Sequence, residues 1–206
     1  MESRSTSARS RRGSTVKQRT LRIGVIADTH GLYDLAIEPH FTGMDEILHA
    51  GDIGGIAVIR LLQRLAPVTA VSGNVDDYEA SGFARPRLLR RGGITIAVCH
   101  ALYEKGKMNL QTQAWLNREE PDVCVFGHSH RPMVGQFGPT LLFNPGSAGP
   151  KRFSLPRGIG MLTIEGGKAR PELIRLKDSA LRNLHLKEVS PNDSERDRLR
   201  GLSEIF

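Results

Sequence analysis

The sequence predicts an α/β protein built on two packed sheets, and three observations carry that expectation. Five short apolar runs, several rich in β-branched residues, recur through residues 21–126, with helical patterns between some of them. Strand, helix, strand at this spacing points to a mainly parallel inner sheet with helical crossovers. Residues 140–176 then hold three strand-like runs joined by Gly and Pro turns, with no helix between them. That pattern points to a second, antiparallel sheet packed on the first. Each of the five early runs also ends in a polar cluster, and the carboxyl ends of parallel strands are where open α/β sheets build their sites.

Residues 1–20 are rich in Ser, Thr and Arg and lack hydrophobic periodicity, so they are expected to form a disordered basic tail. Organellar transit peptides share this composition, but no apolar face accompanies the arginines, which favours a solvated tail. The first strand is expected over 21–27 (LRIGVIA), the next over 46–50, 67–72, 94–98 and 122–126. A helix is expected over 55–66, with Val58, Leu61, Leu62 and Leu65 on its apolar face and Pro67 as its stop. A second helix is expected over 107–120, ended by Pro121, with Trp115 and Leu116 in a core or an interface. The late strands fall at 140–144, 158–166 and 169–176. The folded domain is thus expected over 21–176, followed by a charged C-terminal helix or tail over 177–206.

Composition narrows the function classes. No apolar run approaches the roughly 20 residues needed to span a bilayer, and the N-terminus has no apolar secretory stretch. A cytoplasmic protein with no membrane partner is therefore expected. Cys99 and Cys124 both lie in apolar runs and read as buried, reduced thiols. Of the net charge of +7, residues 1–20 supply +5, from six cations against Glu2. The basic character belongs mostly to the tail, so the folded domain gives no support to a nucleic-acid face.

The chemistry lies in the clusters at the strand ends. They are Asp28-Thr29-His30-Gly31, Gly51-Asp52, Gly73-Asn74, Cys99-His100 and Gly127-His128-Ser129-His130. Two Asp, one Asn and four His would converge on one sheet edge, an oxygen and imidazole set that suits Mn, Fe, Zn or Ni. Gly51, Gly73 and Gly127 each precede a candidate ligand, where absence of a Cβ permits a sharp turn and close backbone approach. Singly these motifs are weak, since Gly-Asp and Gly-Asn are common turn pairs. The ordered series is far more specific.

The series D-T-H-G, G-D, G-N-V-D, H, G-H-S-H resembles the calcineurin-like metallophosphoesterase superfamily. With Asn144-Pro145-Gly146-Ser147 and the short chain, it is similar to the small bacterial and archaeal phosphodiesterase branch, which also contains the retromer scaffold subunit. The resemblance covers roughly 21–176 and implies a four-layer α/β/β/α sandwich of two mixed sheets. It implies one divalent ion on Asp28, His30, Asp52 and His130, and another on Asp52, Asn74, His100 and His128, with Asp52 bridging. Manganese is the expected metal, with Fe, Zn or Ni as alternatives. Asp52, Asn74 and His100 are the expected catalytic residues. The implied function is a dinuclear-metal-dependent phosphodiesterase in which a metal-bridging hydroxide attacks phosphorus in line.

Two departures from the branch matter. Ala101 and Leu102 stand where it usually has Gly then His, and Val75 stands where larger relatives have a His that protonates the leaving group. Asp76 or a water is left for that task. Arg131 is placed either on phosphate or in solvent. His49 reads as a buried residue bonded to backbone or to a ligand, and His40 and His185 as surface residues. The expected partner is a phosphate-ester small molecule, and a homo-oligomer is implied because small members of the branch are often dimers or tetramers. A protein-interaction scaffold on the same fold is the competing function, although a scaffold has no need of seven metal-type side chains. A nuclease aided by the basic tail is a third.

Overall fold

Alternation along Leu21–Ile26 sets the layering of the molecule. Ile23 and Val25 enter one apolar cluster, whereas Ile26 enters another on the opposite face, as the two-residue period of a strand requires. The computed structural model describes residues 19–76, 85–152, 154–177 and 183–185.

In chain order the described strands are β1 (Leu21–Ile26), β2 (Leu32–Asp34), β3 (Glu46–His49), β4 (Val68–Ala70), β5 (Arg87–Arg91), β6 (Ile94–Val98) and β7 (Tyr103–Glu104). They continue with β8 (Lys107–Met108), β9 (Val123–Val125), β10 (Met133–Phe137), β11 (Thr140–Asn144), β12 (Gly158–Glu165), β13 (Lys168–Arg175) and β14 (Asn183–His185). The described helices are α1 (Glu38–Phe41), α2 (Ile56–Leu62) and α3 (Leu110–Glu119).

Two five-stranded sheets stack face to face, in the orders β13-β12-β1-β3-β4 and β10-β11-β9-β6-β5. Ile23, Val25, Leu48, Val98, Val125 and Phe143 fill the space between them. On the outer face of the first sheet, Phe41 of α1 and Val58, Ile59 and Leu62 of α2 pack on Ile26 and Ile47. On the outer face of the second, Leu116 of α3 packs on Ala97, Cys124 and Leu142, with Trp115 partly buried beside them. The order of layers is therefore helix, sheet, sheet, helix. The described residues include no helix long and apolar enough to cross a membrane.

The sheets are partitioned differently from the expectation. The five early strands do not share one sheet, and the three late ones do not form a separate antiparallel sheet. β1, β3 and β4 run parallel in the first sheet, and β12 adds antiparallel to β1. β6, β9 and β11 run parallel in the second, with β5 and β10 antiparallel at its edges. The reason is that an apolar run buried on both faces suits either sheet equally, and its local pattern does not name its partner.

The second helix is also shorter than expected. Asn109 caps it, its side chain accepting from the Gln111 and Thr112 backbone N–H groups at 3.0 and 3.1 Å. Lys107 and Met108 instead pair with Glu104 and Tyr103 in a small hairpin. Asn183–His185 pairs antiparallel with β2. Residues 1–18 and 186–206, and so most of both expected tails, lie outside the described residues. Cys99 and Cys124 are buried free thiols whose sulfurs stand 3.8 Å apart.

Candidate metal centre

Each candidate ligand sits just past the carboxyl end of a strand, and the two sheets present these ends to the same place. Backbone bonds splice the loops together. Asp28 N–H donates to Gly51 O at 2.9 Å, His30 N–H to Asp52 O at 2.9 Å, and Gly127 N–H to His100 O at 3.0 Å. The approach is so close that a Cβ on Gly73 would overlap the Asp52 backbone nitrogen.

Five of the candidates hold a left-handed backbone: Asp28 (φ 53°), His30 (47°), Asp52 (53°), His128 (69°) and His130 (55°). Only two other non-glycine described residues, Lys105 and Glu120, share it. This conformation costs an L-residue about 1–2 kcal/mol, somewhat less for Asp and His, and persists only where the surroundings impose it. The concentration of strain on these five residues marks where side-chain placement outranks local stability.

Asp28, His30, Asp52 and His130 bring one donor atom each to within 4.8 Å of one another. The His30 and His130 Nε2 atoms are 3.2 Å apart. His130 Nε2 lies 3.7 Å from Asp28 Oδ1, and His30 Nε2 lies 3.8 Å from Asp52 Oδ2. The other Asp52 oxygen faces a second pair: His100 Nε2 is 3.3 Å from Oδ1, and the His128 ring meets the His100 ring edge-on at 5.2 Å. Asn74 stands exposed at the rim, lining with His100 a cleft of about 270 Å³. Asp52 thus looks into both halves of the cluster.

Charge in the cluster is governed by burial. Desolvation raises the Asp28 carboxyl to about 7. Burial and the Arg152 charge lower His30, and lower His130 to about 4, so both rings are neutral near pH 7. Burial opposes the charged form of Asp52 and of His100, but the attraction between the two at 3.3 Å outweighs it; Asp52 falls well below the usual carboxylate range and His100 rises.

The residues fit divalent cations. Asp28 Oδ2, His100 Nε2 and His130 Nδ1 are buried without a hydrogen-bond partner, a costly state in a folded protein unless another group satisfies them. The donors are carboxylate oxygens and imidazole nitrogens, which suit borderline divalent metals. Nitrogens bonded to one ion at about 2.0–2.1 Å stand about 3.0–3.4 Å apart, and the His30–His130 separation of 3.2 Å falls in that range.

A surrounding set of residues holds the ligand loops. Gly51 N–H donates to His49 Nδ1 at 3.2 Å, which leaves the proton on Nε2 to donate to Thr29 Oγ1 at 2.9 Å. The Thr29 hydroxyl then donates to Ile53 O at 2.9 Å. His49 is fully buried, and desolvation lowers it to about 3. It braces the Asp28–His30 turn from behind, as expected of a buried supporting His. His100 Nδ1 lies 2.8 Å from Ala50 O and donates to it, which frees Nε2 for the cluster. Asn144 donates to Gly127 O at 2.9 Å and to Ser129 Oγ at 3.2 Å, and Ser147 Oγ donates to Asp28 O at 2.9 Å. The Asn144–Ser147 segment therefore orients the loops that carry His128, His130 and Asp28. His40 is exposed, as expected; the His185 side chain lies outside the described residues.

Three functional residues were not read from the sequence in these roles. The Asp76 carboxylate accepts from Ile53, Gly54 and Gly73 N–H at 2.9–3.0 Å. It pins two ligand turns together and is not free to protonate a leaving group; its place in the G-N-V-D motif was the available signal. Arg157 makes a buried ion pair with Asp34 at 2.7 Å and donates to Gly149 O and Ala148 O. Arg152 lies near enough to Asp28, His30 and His130 for its charge to act on all three. No sequence pattern distinguishes either arginine from its solvated neighbours.

An α/β/β/α sandwich with an Asp/His cluster at the meeting strand ends of both sheets defines a class of metal-dependent phosphoesterases. This chain belongs to the calcineurin-like phosphoesterase superfamily, whose domain model matches residues 21–167. It is 33% identical over 173 residues to a probable metallophosphoesterase of Methanothermobacter thermautotrophicus, covering 80% of this chain and 98% of that one. It is 34% identical over 167 residues to a probable metallophosphoesterase of Methanocaldococcus jannaschii, covering 77% of this chain and 83% of that one. Its fold is like that of Vps29 from Entamoeba histolytica, solved in complex with zinc, with a TM-score of 0.59, 19% identity and coverage of 75% and 99%.

Proposed function

We propose that this protein is a phosphodiesterase that works with two divalent ions, manganese first among them. The observation that carries the reading is the convergence of Asp28, His30, Asp52 and His130, from three separate loops, within 4.8 Å. One ion would be held by these four residues, and the other by Asp52, Asn74, His100 and His128. Bound there, the ions would supply positive charge to the phosphoryl oxygens and acidify a shared water.

The chain's own groups prepare that chemistry. Asp52 directs one oxygen to each half of the cluster, so its charge would offset the repulsion between two cations held there. His100 is held in one tautomer by Ala50 O. Asn74 offers a neutral side chain at the open rim, where an ester can approach. Val75 takes no acid role: its N–H donates to Asp52 Oδ1 at 3.0 Å and its side chain is aliphatic. With Asp76 also committed to backbone donors, the leaving group draws on no side-chain acid from this motif, which favours esters with good leaving groups.

The test is hydrolysis of bis(p-nitrophenyl) phosphate with added Mn²⁺. The wild-type protein is expected to turn over, and Asp52→Asn to abolish turnover with loss of bound metal and an unchanged circular dichroism spectrum. Turnover that survives both Asp52→Asn and chelation would sink the proposal. Likeness to Vps29 supports a second reading, a protein-interaction scaffold on the same fold, and silence with Mn, Fe, Zn and Ni would favour it.

A further inference from the structure

Two clefts of different character open from the cluster. The one beyond His128 has a volume of about 740 Å³ and takes in Tyr103, Lys105, Phe126, Ser129, Arg131 and Met133. That is within the roughly 300–1,000 Å³ of small-molecule sites. The one beyond Asn74 and His100, of about 270 Å³, is lined by small polar side chains such as Ser72, Asn109 and Thr112.

The larger cleft is built, not incidental. Leu102 is fully buried against Cys99 and Leu116 and anchors the β7–β8 hairpin. Lys105 (φ 49°) and Gly106 (φ 78°) form its two-residue turn, both left-handed as the tight hairpin twist requires. The anchor stands where the branch usually carries a second His. It swings Tyr103 over Phe126, with ring centres 5.9 Å apart. Phe126 lies two residues before His128, so an aromatic wall and a cluster imidazole share one short loop. The lining combines two rings and a thioether with the cations of Lys105 and Arg131, and among the described residues no carboxylate faces it. Arg131, placed by sequence on phosphate or in solvent, lines this cleft.

We propose that the cleft beyond His128 receives the base-bearing arm of a nucleotide-type phosphate ester, stacked on Tyr103 with Met133 and Phe126 behind it, while Lys105 and Arg131 draw in its negative charge. Rings and thioethers favour flat π-systems, and base-to-aromatic stacking tolerates any base. The smaller polar cleft takes the other ester arm, so the two clefts divide a diester about the phosphorus. This assignment rests on the phosphoesterase reading, because it places the phosphoryl group at the cluster.

The test is calorimetric binding to Mn²⁺-loaded full-length protein, which requires no turnover. The probes are AMP and ribose 5-phosphate, which share a phosphate and a sugar and differ in the base. AMP is expected to bind about tenfold more tightly. Tyr103→Ala should bring that ratio close to one, and Tyr103→Phe should keep it. Equal affinities in the wild type would overturn the assignment, as would an undiminished ratio in Tyr103→Ala of wild-type melting temperature. Equal affinities beside active hydrolysis of bis(p-nitrophenyl) phosphate would reject the cleft and leave the enzyme standing. A Tyr103-dependent preference for AMP without hydrolysis would uphold the cleft and reject the catalysis.

Discussion

Asp28 is fully buried, accepts one bond from the His128 N–H, and has its other carboxylate oxygen unpartnered. Burial raises its pKa from 3.8 to about 7 in the metal-free protein. A metal ion needs the carboxylate and so competes with a proton. The sign follows: well above pH 7 the group is already ionised and affinity is flat, whereas below 7 the ion must displace a proton. His100, raised by Asp52, adds to the effect, while His30 and His130 are lowered and oppose the ion only at more acidic pH. The apparent affinity for Mn²⁺ is expected to fall by about tenfold or more per pH unit below 7. Titration calorimetry at pH 5.5, 6.5 and 7.5 measures this, and a pH-independent affinity would contradict it. Each candidate ligand was legible in the sequence as a residue type behind a strand. The carboxyl's raised pKa was not, because it depends on what buries Asp28.

At the scale of the element, the site is a set of strained turns held by other turns. The Asp28 and Asp52 loops take left-handed conformations, and the Asp76 carboxylate locks the Asp52 loop to the Gly73 turn through three backbone donors. Asp76→Ala would leave these N–H groups without their charged acceptor. The expected cost is about 2–4 kcal/mol, seen as a lower urea midpoint with an unchanged slope. A loss below about 1 kcal/mol would mean that water replaces the carboxylate. The helical segments show the same limit of local reading. The pattern over 107–120 ran helix-like from its first residue, yet Asn109 starts the helix and Lys107 and Met108 turn back onto Tyr103 and Glu104. A cap and a two-residue turn outcompeted propensity there because both satisfy backbone donors locally.

For the whole molecule, a bound ion that fits the cluster stabilises the folded state, because the unfolded chain cannot hold Asp28, His30, Asp52 and His130 together. At a hundred times its dissociation constant, Mn²⁺ should add about 2.7 kcal/mol, a rise of roughly 5–10 °C in melting temperature for a chain of this size. Thermal denaturation with Mn²⁺ and with EDTA checks this, and coincident curves would contradict it. The strands β1, β3, β4, β6, β9, β11, β12 and β13, the polar series behind the first five of these and the family resemblance came from the chain itself, because periodicity and residue type are written locally. The edge strands β5 and β10 and the short strands β2, β7, β8 and β14 did not, because their apolar patterning is too weak or too brief to mark them. Tertiary structure alone decided which strands share a sheet, that Asp76 serves as a clamp, that Arg157 and Asp34 pair in the interior, and that a hairpin walls a cleft beside His128. These depend on contacts between residues far apart in sequence, and no local pattern records which distant partner a buried group will meet.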